Sequence, residues 1–188
     1  FTVTAEDGVT TAVYTVTVNT AALPEPITPG VDNKKPASKP EVKLPFTDVS
    51  TSDWFYDDVA FVYKNGLFSG TDSRSFSPNA SMTRAMLVTV LYRLEGEPTV
   101  TGRSSFTDVR SGAYYEKSVI WAAANGIVTG TDSTSFSPDA KVTREQLAAI
   151  LYRYAQYRKL DTDASAKLNS FTDADSVSAY ASEAHGWA

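Results

Sequence analysis

Two arginines stand directly behind a threonine in a stretch that recurs sixty residues later, Thr83-Arg84 and Thr143-Arg144. Threonine ahead of an apolar-periodic run reads as a helix N-cap, its hydroxyl accepting a bond from a backbone N–H that the helix leaves unpaired. The next residue lies in a first turn that already carries partial positive charge, where acids are favoured and bases are not. An arginine placed there needs an anion. Its guanidinium, with the exposed N–H groups of the same helix start, can grip a carboxylate with two bonds. The alternative is internal, with Arg84 and Arg144 pairing to acids such as Asp48 or Asp108 and tying helix to loop. Gln146 can close a capping box on Thr143, whereas Met86 cannot close one on Thr83, so the first of these helices should start less firmly.

Other residue types narrow the chemistry. The chain has no cysteine and one histidine, His185, which removes thiolate nucleophiles, disulfides and most histidine-based catalysis and metal ligation. Asp72, Asp132 and Asp139 do not reproduce a calcium-loop spacing and read as turn residues. Glu145, Asp139, Asp108 and Glu116 could serve a two-carboxylate glycan hydrolase, but nothing pairs them, and Glu145 is replaced by Ala85 in the other copy. Neither catalysis nor a cofactor is expected. Seventeen basic against 22 acidic side chains, a net charge of −5, argue against nucleic acid as a partner. No apolar run reaches the roughly 18 to 20 residues of a membrane span, so membrane insertion is not expected.

Aromatics at Trp54, Tyr56, Tyr114, Tyr115, Trp121 and Trp187 could offer flat faces to sugar rings, though most aromatics at helical spacing are core. Gly70 and Gly130 either satisfy backbone geometry or let main-chain N–H groups approach a ligand. Arg93 and Arg153 fall near helix C-termini, where the dipole favours cations, and need no ligand to explain them.

These residues are positioned by a repeat. Residues 46–95 laid on 106–155 give 22 identities in 50 positions without a gap. Phe46-Thr-Asp-Val49 returns as Phe106-Thr-Asp-Val109, Gly70-Thr-Asp-Ser73 as Gly130-Thr-Asp-Ser133, and Phe76-Ser-Pro78 as Phe136-Ser-Pro138. A third copy opens at Phe171-Thr-Asp173 and reaches Trp187-Ala188 in register with Trp121-Ala122 after a one-residue insertion. The spacing of Phe55, Val59, Val62 and Tyr63 predicts a first helix, closed by Asn65-Gly66. Leu87, Val90, Leu91 and Leu94, matched by Leu147, Ile150, Leu151 and Tyr154, predict a second. Two such short helices bury little alone, so the units must pack on one another.

Upstream, residues 23–45 hold six of the nine prolines and four lysines and read as a linker. Residues 1–22 alternate Thr and Val about an Asp7-Gly8 turn and read as a β-hairpin. Their phrasing resembles the final strands of bacterial immunoglobulin-like or cadherin-like β-sandwich modules. With Phe1 at its start and a third copy that stops early, the chain reads as a piece of something longer.

The repeated Phe-Thr-Asp-Val, Asn-Gly, Gly-Thr-Asp-Ser, Phe-Ser-Pro and Thr-Arg signatures resemble S-layer homology modules. The resemblance implies a mostly α fold of tandem helix-loop-helix repeats, three of them packing as a pseudo-threefold bundle. Its boundaries are 46–105, 106–165 and a truncated 166–188. It also implies non-covalent anchoring of a secreted surface protein to the cell wall of a Gram-positive-type bacterium. The partner would be a secondary cell-wall polysaccharide whose terminal sugar carries a pyruvate ketal. On that expectation the contacts are Arg84, Arg144, Thr83, Thr143, Trp54, Trp121, Gly70 and Gly130, the two tryptophans because the family sets aromatics of this helix beside its grooves. The alternatives are a self-assembly module of a surface layer, with possible self-association, and the accessory binding region of a glycan hydrolase.

Overall fold

The helices recur with the sequence. In the computed structural model, which describes residues 2–4, 11–13, 43–163 and 172–188, α1 (Tyr56–Lys64) returns as α3 (Glu116–Ala124). Likewise α2 (Arg84–Leu94) returns as α4 (Arg144–Tyr157), and α5 (Ser182–Trp187) is the first helix of the third stretch. The chain divides into two units, residues 1–40 and 41–188. In the first, β1 (Thr2–Thr4) pairs antiparallel with β2 (Thr11–Val13), Val3 opposite Ala12. The rest of the expected hairpin, the linker up to residue 42 and the opening Phe171 of the third repeat lie outside the described residues. Among the described residues no helix is long and apolar enough to cross a membrane.

Both first helices stop as the Asn-Gly pairs predict. Asn65 and Asn125 turn their side-chain amides back to the Phe61 and Trp121 carbonyls at 2.8 Å, and Gly66 and Gly126 take φ of +69°. Leu67 N–H and Ile127 N–H then close onto the carbonyls of Val62 and Ala122, the Schellman arrangement. Thr83 and Thr143 cap α2 and α4, each accepting from the third residue on at 3.2 Å, and only Thr143 completes a capping box, with Gln146.

The loops repeat as closely. Asp48 accepts the N–H groups of Phe76 and Ser77, and Asp108 those of Phe136 and Ser137, at 2.7 to 2.9 Å. This clamp holds Ser77 and Ser137 at φ of 59° and 58°, a left-handed conformation that side chains avoid without such support. Asp72 and Asp132 each accept two further loop amides. The identical positions of the repeat are therefore largely loop hydrogen bonds.

One cluster, Phe46, Val49 and Val59, stays within the first repeat, and the larger burial runs between repeats. The second helix of one repeat packs on the first helix of the next, α2 on α3 and α4 on α5. The main core joins Ala85, Leu87, Val88, Leu91 and Tyr92 of α2 to Val119, Trp121 and Ala122 of α3, with Phe136 and Ile150 beside them. Each large side chain buried this way contributes roughly 1.5 to 3 kcal/mol. The expected stripe needs correction at its edges, since Leu94 and Leu147 are exposed while Tyr92 and Tyr152 are buried. A helix that serves two repeats buries a face wider than one stripe. The far ends of α2 and α4 are tied by Glu95, which accepts from Tyr154 OH and from Arg158 Nη1, the latter at 2.6 Å.

Position 61 shows what the next-neighbour rule means. Its counterpart Trp121 lies between Tyr92 and Tyr157, both ring centroids 5.7 Å away, and is 5% exposed. Trp187 meets Tyr152 at the same distance. Phe61, with no second helix before it among the described residues, is 63% exposed.

Candidate functional site

Arg84 is buried, only 5% exposed, and reaches out of its own repeat. Its Nε donates to the Phe136 carbonyl at 2.8 Å and its Nη2 to the Thr129 carbonyl at 2.9 Å, with the guanidinium 4.7 Å over the Phe136 ring. The first turn of α2 is likewise spent. Arg84 N–H donates to Ala140 O, Ala85 N–H to Pro138 O, and Met86 N–H to Thr83 Oγ1. An antiparallel bridge between Thr83 and Lys141 completes the seam.

This corrects the expectation that the α2 start offers open N–H groups to a ligand. It also answers why a base follows the cap. The guanidinium is turned onto the negative ends of two carbonyl dipoles of the next repeat, and Arg84 forms no ion pair with Asp48 or Asp108, whose carboxylates hold loop amides. Burial pushes the Arg84 guanidinium below its ordinary value, an effect to which the positive charge of Arg153 adds and which Tyr180 and Asp108 oppose. Arg144, at the same phase of α4, is exposed and forms no hydrogen bond or ion pair among the described residues.

Beside Arg84 opens a groove of about 350 Å³. Its walls are the Thr129-Gly130-Thr131 loop, Gln146, Ala149, Ile150 and Arg153 of α4, and the ring of Tyr180 from the third stretch. No carboxylate lines it. Tyr180 OH donates to Glu145 Oε2 at 3.1 Å, and Ser178 N–H donates to Glu145 Oε1 at 3.0 Å, so Glu145 anchors the third stretch at the groove mouth. The Ser178 amide, the first of these donors, holds the Glu145 carboxyl below its ordinary value.

The equivalent groove of the first repeat has a different character. It is larger, about 640 Å³, and is walled chiefly by hydrocarbon, Val62, Leu67, Phe68, Met82, Met86 and Val90, with Gly70, Arg93, Tyr114 and the acid Asp58 also lining it. Met86 stands where the second groove has Gln146. Arg93 is already committed, Nη1 donating to Leu67 O at 3.0 Å and Nε lying 3.9 Å from Glu97.

The residues singled out from sequence are thus divided. Arg84 and Gly130 line the second groove, and Gly70 the first. Thr83 and Thr143 act as caps. Trp54 is 89% exposed against Phe55, whereas Trp121 sits in the core and presents no open face. A Cβ on Gly70 would stand 2.5 Å from the Phe46 ring and 2.6 Å from Ser75 O, so this glycine is required by loop packing. Among the described residues no group of His, Cys, Asp and Glu could hold a metal.

Arg153 and Tyr180 were missed. Arg153 was set aside because the helix dipole accounts for a cation near a C-terminus. Tyr180 was legible in principle, since the offset that carries Trp121 to Trp187 also carries Tyr114 to Tyr180.

The sequence model of the S-layer homology domain matches residues 45–85 and 105–148, one stretch in each complete repeat. The chain is 31% identical over 141 residues to an endoglucanase of Bacillus sp. (strain KSM-635), covering 75% of this chain and 15% of the relative. It is 33% identical over 115 residues to the surface-layer 125 kDa protein of Lysinibacillus sphaericus, covering 57% of this chain and 10% of the relative. To the cellulosome-anchoring protein of Acetivibrio thermocellus it is 26% identical over 115 residues, 58% of this chain and 26% of the relative. The chain therefore spans only a small part of the relatives it matches.

Proposed function

We propose that residues 46–188 anchor a secreted protein to a bacterial cell wall by non-covalent binding of an acidic wall polysaccharide, one whose terminal sugar carries a pyruvate ketal. One observation carries this reading. The second groove is lined by two arginines and no acid, on the seam between two S-layer homology repeats. A ketal carboxylate would enter as the missing negative charge, the sugar ring lying against Tyr180. Two relatives, named a surface-layer protein and a cellulosome-anchoring protein, support the anchoring part of the proposal. The third stretch would continue the same packing as one member of a pseudo-threefold bundle.

The test is retention on purified cell-wall sacculi before and after the secondary polymer is extracted. Binding should disappear with the polymer, and equal retention would overturn the reading. A second reading, favoured by the match to an endoglucanase, makes this region the attachment part of a glycan hydrolase. It uses the same groove and differs only in what is carried, so hydrolysis of wall glycan by the full-length protein distinguishes it.

A further inference from the structure

The seam between α2 and α3 and the seam between α4 and the third stretch use the same groups differently. In the first, Gly112 N–H donates to Glu116 at 2.8 Å and Tyr92 OH to the Pro98 carbonyl at 2.7 Å, so neither bond leaves its own repeat. The repeat carries these groups to Ser178 and Tyr152. There both bonds cross the seam and both end on a carboxylate. Ser178 N–H donates to Glu145 of α4, and Tyr152 OH donates to Glu183 of α5 at 2.8 Å. Tyr180 OH adds a second bond to Glu145. At the positions of those acids the first seam has Ala85 and Lys117, and Ser182 stands where Glu116 stood.

The packing beneath the bonds differs as well. The first seam buries Leu87, Val88, Leu91, Val119 and Trp121, with Thr89 Oγ1 3.1 Å from Ser118 Oγ. In place of that polar pair the second has Ala149 and Ala184, in a cluster with Ala148 and Tyr152 and with Trp187 against it. Trp187 Nε1 also donates to Asp161 O at 3.4 Å. Methyl groups bury little, so the carboxylate bonds carry a larger share of this contact.

We propose that residues 172–188 form a strap that opens from α4 as a unit while the α2–α3 seam stays shut, with Glu145 as its latch. One carboxylate there takes both a backbone and a side-chain donor of the strap. Facing it are Tyr180 and His185, a charged His185 favouring the ionised latch, and Tyr180 shares its groove with Arg84 and Arg153. The Ser178 amide holds the carboxyl below its ordinary value, so the latch is shut at neutral pH and loosens as pH falls through the folded value. Tyr180 leaves the second groove when the strap opens, and that consequence alone touches the anchoring reading.

Hydrogen exchange of the full chain, read by peptide and corrected for the intrinsic rate at each pH, tests this. Glu145→Ala, the first repeat's residue at this phase, should speed exchange across 174–188 by about tenfold or more at pH 6.5, the scale of a lost charge-assisted bond. Peptides of α2 and α3 should stay within about twofold. Glu145→Gln keeps one acceptor oxygen and should fall between. In wild type the strap should also exchange faster at pH 4 than at pH 6.5, by at most about fourfold, the most that a carboxyl of ordinary value 4.5 can lose there. Glu145→Gln should abolish that response. Equal speeding in α3 would overturn the strap. Unchanged exchange in Glu145→Ala, or a pH response that survives Glu145→Gln, would overturn the latch. Each measurement is made without sugar, so failure of the strap is told apart from failure of the anchoring reading.

Discussion

Arg84 and Phe136, 52 residues apart, are joined side chain to backbone at 2.8 Å, with the guanidinium also over the Phe136 ring. This bond crosses from one repeat to the next inside a buried seam. Arg84 is therefore a structural cation, while Arg144 at the same phase is not. Arg84→Met should lower unfolding free energy by about 2 to 4 kcal/mol, because two carbonyls lose a charged donor in a buried place. Arg144→Met should change it by less than about 0.5 kcal/mol. Urea unfolding of the two variants checks this, and equal effects would show that the seam does not depend on Arg84.

Acid should weaken the fold over a defined range. Backbone amides hold Asp48, Asp72 and Asp132 below their ordinary value of 3.8, and Glu145 is held below 4.5 by Ser178. A carboxyl depressed by folding stabilises the native state above its unfolded value, and that stabilisation is lost as pH falls through the folded value. The thermal midpoint should accordingly be level from neutral pH down to about 5 and fall below about 4. In Asp132→Asn the amide oxygen can still accept from Thr134 and Ser135, but the charge is gone, so the acid fall should be shallower. A midpoint as high at pH 3 as at pH 6 would contradict the clamp account.

Much of this architecture could be read from the repeat. The Asn-Gly stops and the Thr caps fixed helix ends because they are local devices, satisfied within a few residues. What could not be read is whatever depends on the neighbouring repeat. Phe61 and Trp121 share a phase, yet one is exposed and the other is core, because α3, unlike α1 among the described residues, has a preceding second helix packed on it. Arg84 looked like a ligand residue because its carbonyl partners belong to a loop whose placement the sequence does not state. Arg153 escaped for a different reason. The change from Glu97 to Tyr157, which leaves no acid four residues after Arg153, lies two positions beyond the 50-residue match of the repeats.

Tyr115 offers a test of the core itself. Its ring is buried and its hydroxyl has no hydrogen-bond partner among the described residues, while the same phase of the first repeat carries Phe55. A buried hydroxyl without a partner costs more than it returns. Tyr115→Phe should leave stability unchanged or raise it by about 1 kcal/mol, keeping the edge-on contact with Tyr114 at 5.0 Å. A clear loss in chemical denaturation would mean that the hydroxyl is engaged in solution.

Gly130 separates backbone geometry from ligand access. A Cβ there would collide with the carbonyls of Asp132 and Ser135 and crowd the Phe106 ring, although its φ is not in the left-handed region. Gly66 is the reverse case, at φ +69° with open space around it. Gly66→Ala should then cost about 1 kcal/mol, the penalty for a side chain in left-handed backbone. Gly130→Ala should cost about 2 to 3 kcal/mol, since backbone rather than a movable side chain must give way. If Gly130 served only to admit a sugar, Gly130→Ala would melt like wild type and fail only in sugar binding. A combined loss of stability and binding, with the Gly66 variant still binding, would show that the loop must first be built before the groove it borders can be filled.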